Sequence, residues 1–271
     1  MIVVKAGGNR ELDISPICDD VAELIQKGEQ IILVHGGSGE TNRISKKLGS
    51  PPRFVTSPSG HSSRYTDRKT WEIYAMVVTG RINTLLVERL QQSGVNALGL
   101  SGLDGRLLEG KRKSSLRIME NGKPKMLRGE YSGIIENVNV SLLQILLDAN
   151  YVPVVAPVAI SYQNEGLNVD GDRVAAAIGR ALGAEQVIIL SNVPGLLRDV
   201  NDEGSLIPYI PAREAKDYLK HYAKGRMKRK VLGAIEALQG RVSRVIIADG
   251  RVEAPIQRAL AGHGTVFSND H

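Results

Sequence analysis

The sequence predicts an α/β protein with a mostly parallel central sheet that helices cover on both faces. Short β-branched stretches alternate along the 271 residues with longer stretches whose apolar residues recur at helical spacing. Strands that are apolar along their whole length are typical of sheets buried on both faces. Two glycine-rich turns follow the first two strands, and ligands bind at such strand ends in open parallel sheets. The length allows one large domain or two lobes that share a sheet.

The alternation predicts each strand and helix in turn. The predicted strands cover residues 2–4, 31–35, 97–100, 153–157, 187–190 and 245–248. The predicted helices cover residues 14–27, 69–92, 140–150, 173–182 and 228–238. Strands that alternate with amphipathic helices in this way predict a parallel sheet whose connections are helical.

Two segments interrupt the alternation, and each predicts an antiparallel hairpin. Residues 106–129 contain short strand-like pieces separated by turns, of which Asn121-Gly122 carries the strongest hairpin signal. We expect this segment to form a flap beside the first half of the chain. A second, smaller hairpin is predicted over residues 199–208, with its turn at residues 202–204.

The composition excludes several classes of protein. Hydrophobic residues make up 42% and charged residues 24% of the chain, which is typical of a soluble globular protein. The single cysteine, Cys18, excludes an intrachain disulfide and a cysteine-based zinc site, and it fits a reducing cytoplasm. Residues 1–5 lack the features of a signal peptide, and no apolar stretch reaches membrane-spanning length. We therefore expect a cytoplasmic protein without a membrane segment.

The formal net charge of +6 is compatible with several partners. Phosphate-bearing substrates, nucleic acid or an acidic protein would each suit a basic chain, as would a solvated basic surface with no partner. The sequence has no basic stripe interleaved with aromatic residues, so we expect no nucleic-acid binding.

The two glycine-rich turns are the first candidates for a phosphate site. Lys5 precedes Gly7 and Gly8 after the first strand, and His35 precedes a Gly-Gly-Ser-Gly run after the second. Glycines let the backbone approach a ligand, and free amides at a helix N-terminus attract phosphate. Neither turn matches the Walker motif or the dinucleotide-binding motif. The alternative is a pair of ordinary strand-to-helix turns, with a solvated lysine and a hydrogen-bonded histidine.

The second half of the chain supplies further charged candidates. Residues 168–172, Asn-Val-Asp-Gly-Asp, precede one predicted helix, and residues 225–231 bring a basic cluster to the start of another. Asp172 would serve equally well as a helix cap, and Asn168 as a turn residue. The basic cluster would serve equally well as a solvated helix face.

In this order the segments resemble the amino acid kinase family, and within it acetylglutamate kinase. The matching segments span essentially the whole chain and comprise residues 5–8, 35–38, 64, 168–172, 191–195 and 227–230. The resemblance implies a three-layer αβα fold with a mostly parallel central sheet and hairpin flaps. It also implies ATP as the phosphoryl donor, with Mg²⁺ held mainly by the ATP phosphates and no metal site on the protein.

The resemblance implies a catalytic role for three charged residues. Lys5 and Lys230 would neutralise the transferring phosphoryl group from opposite sides, and Asp172 would hold both lysines in place. These roles are physically coherent, because phosphoryl transfer depends mainly on positioning and on charge neutralisation.

The resemblance also implies two sets of binding residues. Those implied for the amino acid substrate are Gly36, Gly37, Ser38, Arg64 and Asn168. Arg64 would grip the substrate's α-carboxylate with its planar guanidinium, and Asn168 would bind the amide region of the substrate. Those implied for the nucleotide are Gly7, Gly8, Asn192, Gly195 and Leu196.

Three positions depart from the family pattern. Ser38 stands where the family has a third glycine, Asn192 where it usually has aspartate, and Arg226 where it usually has glycine. Only Arg226 raises a structural question, because a side chain there would restrict the loop that delivers Lys230.

Residues 53–67 indicate the kind of substrate. They read RFVTSPSGHSSRYTD, where acetylglutamate kinases usually carry a short Asn-Gly-Leu-Arg-Val-Thr run. They resemble the kinases that act on aminoadipate, and in some archaea on glutamate, attached to a small acidic carrier protein of the LysW type in lysine and arginine biosynthesis. The basic residues that would suit the acidic tail of such a carrier are Arg53, Arg64, Arg68 and Lys69. The alternatives are a loop without a partner, a kinase of free acetylglutamate, and a non-catalytic amino-acid sensor.

The same resemblance predicts two lobes and a dimer. Polar residues 161–166 interrupt the apolar pattern, so we expect an amino-acid and dimerisation lobe over residues 1–165 and a nucleotide lobe over residues 166–271. Arginine-inhibited acetylglutamate kinases carry an additional helix before the first strand. Because the first strand here begins at Ile2, we expect a homodimer without arginine feedback.

Overall fold

The computed structural model of the chain describes residues 1–7, 13–58, 60 and 62–269. Its strands are β1 (Ile2–Ala6), β2 (Ile31–His35), β3 (Phe54–Thr56), β4 (Ser62–Arg64), β5 (Ala97–Ser101), β6 (Leu108–Arg112), β7 (Ser115–Glu120), β8 (Lys123–Arg128), β9 (Gly133–Val138), β10 (Val152–Ala156), β11 (Val158–Ser161), β12 (Gly166–Asn168), β13 (Gln186–Ser191), β14 (Tyr209–Pro211), β15 (Arg244–Asp249) and β16 (Thr265–Ser268). Its α-helices are α1 (Ser15–Gln26), α2 (Ser38–Lys47), α3 (Arg68–Ala75), α4 (Asn83–Gln92), α5 (Val140–Asp148), α6 (Gly171–Leu182), α7 (Ala215–His221), α8 (Met227–Leu238) and α9 (Pro255–Leu260).

The central sheet has the strand order β14-β16-β15-β13-β1-β2-β10-β5. The strands from β15 to β5 run parallel to one another, whereas β16 pairs antiparallel with β15. The α/β prediction with a mostly parallel sheet is therefore confirmed. Strand β1 lies between β2 and β13, so its carboxyl end lies in the middle of the ligand-binding edge of the sheet.

Side chains alternate along β1 between two buried layers. Ile2 and Val4 belong to a core formed with α1, α4 and α9, whereas Val3 belongs to the opposite core, formed with α5, α6 and α8. Successive strand residues point to opposite faces, so Lys5 shares the face of Val3 and points toward α6 and α8. The helices on both faces give the three predicted layers.

The predicted flap is present, although its first strand belongs to a different sheet. Strands β7 and β8 form an antiparallel pair around Asn121-Gly122, and both turn residues have positive φ. Positive φ at both positions is what the short turn of a hairpin requires, so the Asn-Gly prediction is confirmed. Strand β6 instead joins a four-stranded sheet of order β12-β11-β6-β9.

The helix predicted over residues 69–92 is present but is not α-helical throughout. A π-helical segment, Met76–Ile82, joins α3 to α4 without a break. Inserted π turns are frequent at functional sites, and periodicity alone does not reveal them.

The hairpin predicted over residues 199–208 is wrong. A single antiparallel bridge joins Leu197 to Leu206, and residues Glu203–Ser205 form a 3₁₀ turn. The Asp199 and Asp202 carboxylates accept hydrogen bonds from the backbone N–H groups of residues 201 and 204. Short polar side chains of this kind compete with a strand ladder for the backbone donors, which explains the difference.

The boundary predicted at residues 161–166 coincides with the turn between β11 and β12, which pair antiparallel. Strand β1 of the first predicted lobe pairs with β13 of the second, so the central sheet continues through both. The division into lobes remains a prediction. Within the described ranges, no helix is both long and apolar enough to cross a membrane.

Candidate active site

Three charged side chains converge at the carboxyl end of β1. Lys5 lies near the end of this strand, Asp172 lies in the first turn of α6, and Lys230 lies in the first turn of α8. All three lie on the face of the sheet that α6 and α8 cover. The convergence therefore follows from the strand period together with the packing of these two helices on one face.

The Asp172 carboxylate links the two lysines. Its Oδ1 atom lies 2.8 Å from Lys5 Nζ, and both of its oxygens lie 3.4 Å from Lys230 Nζ. The exposed fractions are 7% for Lys5, 7% for Asp172 and 8% for Lys230. Two ammonium groups face one carboxylate, so the cluster attracts a further anion.

The surroundings of this cluster shift two pKa values. Burial by itself raises the pKa of the Asp172 carboxyl, but the adjacent ammonium groups of Lys5 and Lys230 outweigh burial and lower it. Burial, reinforced by the positive charge of Lys5, lowers the pKa of Lys230 to about 8, although Asp172 opposes the change. Both shifts follow from charge held at low dielectric.

The alternative role of Asp172 as a helix cap is wrong. The cap of α6 is Asp170, whose carboxylate accepts hydrogen bonds from the N–H groups of Asp172 and Arg173. Asp170 also lies 3.4 Å from the Arg229 guanidinium, which donates a second bond to the Ser62 carbonyl. The Asp172 carboxylate therefore remains available to the two lysines. The bond from Arg229 to Ser62 connects α8 to β4.

The two glycine-rich turns lie next to each other on neighbouring strands. Gly7 directly follows β1, and Gly36 directly follows β2, where its N–H donates to the Ala6 carbonyl. Gly37 precedes α2, and Ser38 is its first residue. Within the described residues the N–H groups of Gly37 and Ser38 meet no acceptor, so they are available to an anion. Gly8 lies outside the described residues, and its role remains a prediction.

Arg64 lies beside the N-terminus of α2 with part of its guanidinium unused. One nitrogen, Nη2, donates to the Ser38 carbonyl at 3.0 Å, and the group lies 5.9 Å from the centre of the Tyr74 ring. The Nε and Nη1 atoms are buried and have no partner among the described residues. Burial lowers the pKa of Arg64. Buried charged donors without acceptors are costly, so this geometry favours an anionic ligand.

Asn168 belongs to a polar chain beside Arg64. Its Nδ2 atom donates to Thr66 Oγ1 at 3.1 Å, and the Thr66 N–H donates to the Glu130 carboxylate at 3.1 Å. Thr66 and Glu130 are almost fully buried, and burial raises the pKa of the Glu130 carboxyl. These hydrogen bonds fix the Asn168 side chain, and its amide oxygen accepts no hydrogen bond from the described residues.

The predicted nucleotide segment follows β13. Asn192 is half-buried, whereas Gly195 and Leu196 are buried. The Leu196 N–H donates to Thr265 Oγ1, and a Cβ atom on Gly195 would lie 2.5 Å from the same oxygen. Gly195 is therefore required for close packing against Thr265, and the N–H of Leu196 is already bonded within the fold.

The loop before α8 resolves the question raised by Arg226. Gly225 has a φ of +52°, in the left-handed region, whereas Arg226 has ordinary right-handed helical angles. Glycine is therefore required at residue 225 and not at residue 226. Lys230 reaches Asp172 with Arg226 in place.

The described residues contain no group of three or more histidine, cysteine, aspartate or glutamate side chains placed to hold a metal ion. The donors that converge here are ammonium, guanidinium and backbone N–H groups, which suit phosphate and carboxylate oxygens. Such a site fits Mg²⁺ that enters with nucleotide phosphates, since Mg²⁺ commonly keeps several waters and binds through phosphate.

The comparison with known families agrees with this geometry. Residues 1–249 match the sequence model of the amino acid kinase family. The chain belongs to the amino acid kinase family. The resemblance inferred from the ordered motifs is therefore confirmed.

Two relatives of this amino acid kinase are similar over nearly their whole length. The LysW-aminoadipate kinase of Deinococcus radiodurans is 58% identical over 99% of this chain and 91% of its own. The LysW-aminoadipate kinase of Thermus thermophilus is 54% identical over 98% of this chain and 99% of its own. A more distant relative, the LysW-aminoadipate/LysW-glutamate kinase of Saccharolobus solfataricus, is 37% identical over 99% of this chain and 100% of its own.

Solved structures share the fold of this amino acid kinase. N-acetylglutamate synthase from Neisseria gonorrhoeae superimposes with a TM-score of 0.80 at 24% identity, and this chain covers 59% of that synthase chain. Carbamate kinase from Giardia lamblia bound to AMP-PNP superimposes with a TM-score of 0.69 at 15% identity and is covered over 98% of its length. The amino acid kinase fold is therefore confirmed, and these likenesses concern the fold alone.

Sequence reasoning missed several residues that build this site. Asp170 was part of a recognised run, but its role as the cap emerged only from the geometry. Asn83 lies inside a predicted helix and carried no signal of its own. Gly99 offered a weak signal, because glycine inside a strand often marks a close approach. A Cβ atom on Gly99 would in fact lie 2.1 Å from Asn83 Oδ1.

Replacing Asp172 with asparagine should reduce phosphotransfer sharply without unfolding the protein. We expect kcat to fall about 10²-fold or more, because the lysines lose the carboxylate that orients them. Asp19→Asn is the matched control, because Asp19 lies on the surface, where it pairs with Arg89, and its loss should leave kcat nearly unchanged. Steady-state kinetics and thermal unfolding of both variants measure this. Near-normal kcat in Asp172→Asn would contradict the proposed role.

Activity should decline as the pH rises through about 8. Lys230 must carry its proton to neutralise phosphoryl charge, and its pKa is lowered to about 8. The pH profile of kcat/KM reports the free enzyme and should show a basic limb near that value. In Lys230→Arg any remaining activity should lose this limb, because arginine stays protonated. A wild-type profile that is flat from about pH 7 to about pH 10 would overturn this assignment.

Proposed function

We propose that this chain transfers the γ-phosphoryl group of ATP to the side-chain carboxylate of aminoadipate attached to a LysW-type carrier protein, in lysine biosynthesis. The observation that carries the proposal is the buried Lys5–Asp172–Lys230 cluster in a chain 54% to 58% identical to two LysW-aminoadipate kinases. A carboxylate oxygen would attack the γ-phosphorus, and the bond from that phosphorus to the β–γ bridging oxygen would break. The products are an acyl phosphate and ADP.

The lysine cluster would act on the phosphoryl group during transfer. Charge on the transferring group spreads over its oxygens, so fixed positive groups on both sides stabilise the transition state. Lys5 and Lys230 approach from different elements, and Asp172 restrains both of their ammonium groups. Mg²⁺ bound to the ATP phosphates would add positive charge when present. The cluster is already assembled within the fold, which lowers the reorganisation that the reaction requires.

Arg64 would hold the substrate by its α-carboxylate. Its buried Nε and Nη1 donors have no partner among the described residues, so they favour an anionic group such as a carboxylate. The N–H groups of Gly37 and Ser38 lie at the start of α2 and would donate hydrogen bonds to the reacting oxygens. Gly36 immediately precedes them in the same turn. Asn168 would accept a hydrogen bond from the amide that joins the amino acid to its carrier.

The nucleotide would enter beside β13 and α8. Gly7 and Gly8 would face the phosphates, and residues 192–196, of which Asn192 is half-buried, would border the rest of the nucleotide. Lys230 lies in the first turn of α8, where the helix N-terminus adds favourable potential for phosphate. The predicted second lobe, residues 166–271, would hold most of the nucleotide, and residues 1–165 most of the amino acid.

A protein carrier would require a docking surface outside the pocket. Arg53 and Arg68 already pair with Glu120 and Glu72 within the chain. The side of the flap that faces solvent carries Arg117, Met119, Met126 and Arg128, all of them exposed, and we call this set the outer flap face. Its arginines would attract an acidic carrier, and its methionines would supply adaptable apolar contact. The Tyr65 hydroxyl donates to the Arg128 carbonyl, which connects this face to the loop of Arg64.

The finer properties belong to the same proposal. Carrier-bound glutamate in arginine biosynthesis, a homodimeric state and a cytoplasmic location would all suit this enzyme. Free acetylglutamate would be a poor substrate, because the chain departs from the acetylglutamate kinase pattern around Arg64. A non-catalytic sensor would have no need of two buried lysines on one carboxylate, and assays of ATP turnover separate that role from a kinase.

Replacing Arg64 with lysine should weaken substrate binding far more than it slows transfer. Lysine cannot present two donors in a fixed fork, so KM for the conjugate should rise about 10-fold or more. Arg89→Lys is the matched control, because Arg89 forms a surface pair with Asp19 and should leave KM unchanged. Initial-rate kinetics at saturating ATP measure both variants. An unchanged KM in Arg64→Lys, with a fall only in stability, would contradict this role.

The carrier conjugate should be a far better substrate than free aminoadipate, glutamate or acetylglutamate. Its KM should rise with salt, since exposed charge pairs are screened over about 10 Å at about 0.1 M ionic strength. Arg117→Glu should imitate high salt, whereas Arg244→Glu, at the amino end of β15 and the opposite edge of the sheet, should not. We would measure kcat/KM for conjugate and free substrates at two salt concentrations. Equal efficiency on both, without a salt effect, would rule out the carrier and leave an acetylglutamate kinase.

A further inference from the structure

His35 is a buried side chain that the proposed transfer does not use directly. It ends β2, and only 2% of its surface is exposed. Its Nδ1 atom lies 2.9 Å from the Gly36 carbonyl, and its Nε2 atom lies 3.1 Å from Asn83 Nδ2. Both ring nitrogens are therefore engaged within the fold, and His35 is not placed to act as a general base.

The bond to Asn83 determines which ring nitrogen carries the proton. Asn83 Nδ2 also lies 2.9 Å from the Val154 carbonyl, and a carbonyl can only accept. The amide must therefore turn its NH₂ group toward Val154 and His35. His35 Nε2 is consequently the acceptor, and the proton lies on Nδ1, which donates to the Gly36 carbonyl. Burial lowers the pKa of His35 to about 4, in keeping with a neutral ring.

The bond from His35 orients the peptide that joins Gly36 to Gly37. The described peptide bonds are trans, so the C=O and N–H of one peptide unit point in opposite directions. A Gly36 carbonyl held against the imidazole therefore turns the Gly37 N–H away from the core. Arg64 lies close to this peptide, since its guanidinium donates to the neighbouring Ser38 carbonyl.

The π-helical segment explains how Asn83 reaches His35. Tyr74, which lies beneath Arg64, and Asn83 are nine residues apart (83 − 74), or about two and a half turns of an α-helix. In an uninterrupted α-helix they would lie on opposite sides. The wider turn of Met76–Ile82 uses more residues per turn and returns Asn83 to the face of the helix that packs on the site. Val78 and Ile82 of this segment also contact Gly37, since a Cβ atom there would lie 2.5 Å and 2.9 Å from them.

We propose that His35 and Asn83 are positioning residues that fix the Gly36–Gly37 peptide, so that its N–H binds a reacting oxygen during phosphoryl transfer. We call His35, Asn83 and the Val154 carbonyl the peptide clamp. This inference rests on the proposed function, because the donor matters only where charge develops on an oxygen. A donor fixed before the reaction contributes most to the transition state, so its loss lowers kcat more than it raises KM.

Two amide substitutions at His35 separate positioning from packing. Asparagine places its NH₂ group near the position of Nδ1, whereas glutamine places it farther out, near that of Nε2. We expect His35→Asn to keep kcat within about fivefold of the wild type and His35→Gln to lower it about 10- to 100-fold, with KM changed less than about threefold. His35→Leu, which has no donor, should match glutamine or be slower. Thermal unfolding is measured alongside, since all three variants disturb packing.

A purely structural role predicts a different outcome. The kcat of the three variants would then follow their stability, or stay constant, and equal kcat in His35→Asn and His35→Leu would overturn the clamp. Nitrogen NMR of histidine-labelled wild-type protein provides a test independent of activity. It should show Nδ1 protonated and Nε2 unprotonated at neutral pH, and the opposite tautomer would contradict the inference.

The two proposals fail in distinguishable ways. If the wild-type chain does not phosphorylate the carrier conjugate, the proposed function is wrong, and the tautomer still tests the geometry of the clamp. If the wild type is active and the asparagine and glutamine variants of His35 are equally fast, only the clamp is wrong.

Discussion

The burial of two lysines against one aspartate is the interaction on which the rest of this structure depends. Removing an ammonium or carboxylate group from water costs several kcal/mol per ion, even after the protein relaxes. One carboxylate cannot fully compensate two ammonium groups, and burial together with the positive charge of Lys5 lowers the pKa of Lys230. The cluster is tolerated because three elements enclose it: the central strand β1 and the N-terminal turns of α6 and α8. The remaining positive charge is what a phosphoryl group would neutralise.

Charged groups are also buried without full compensation on the substrate side of the site. Arg64 is held in place by the Ser38 carbonyl and the Tyr74 ring, while its Nε and Nη1 donors are buried and meet no acceptor in the part of the chain that the structure describes. A protein selected for stability alone would pair or expose such a group. Unpaired buried donors and surplus charge together describe a site whose electrostatics are arranged before any ligand binds. Such preorganisation is the largest contribution to rate in many enzymes that stabilise developing charge.

One continuous helical stretch, residues 68–92, supports most of this arrangement. Tyr74 lies beneath Arg64, Val78 and Ile82 form the wall behind Gly37, and Asn83 reaches across to His35. The π turn in its middle is what allows all of these side chains to face the sheet. The Tyr65 hydroxyl then connects the loop of Arg64 to the flap, because it donates to the Arg128 carbonyl.

The sequence by itself determined the fold class, and its ordered motifs pointed, through the family resemblance, to the three residues of the charged cluster. Apolar strands alternate with amphipathic helices over the whole chain, and Lys5, Asp172 and Lys230 stand in recognisable motifs. These features are local, so periodicity and motif order reveal them. The short strands β3, β4 and β12 were not predicted, because three residues carry too little periodicity and their pairing is decided by distant partners. Only the tertiary structure decided that Asp170 and not Asp172 caps α6, that Arg226 needs no special backbone angle, and that Asn83 fixes the proton of His35. Each of these depends on which groups meet in space across tens of residues, and no spacing along the chain encodes such a meeting.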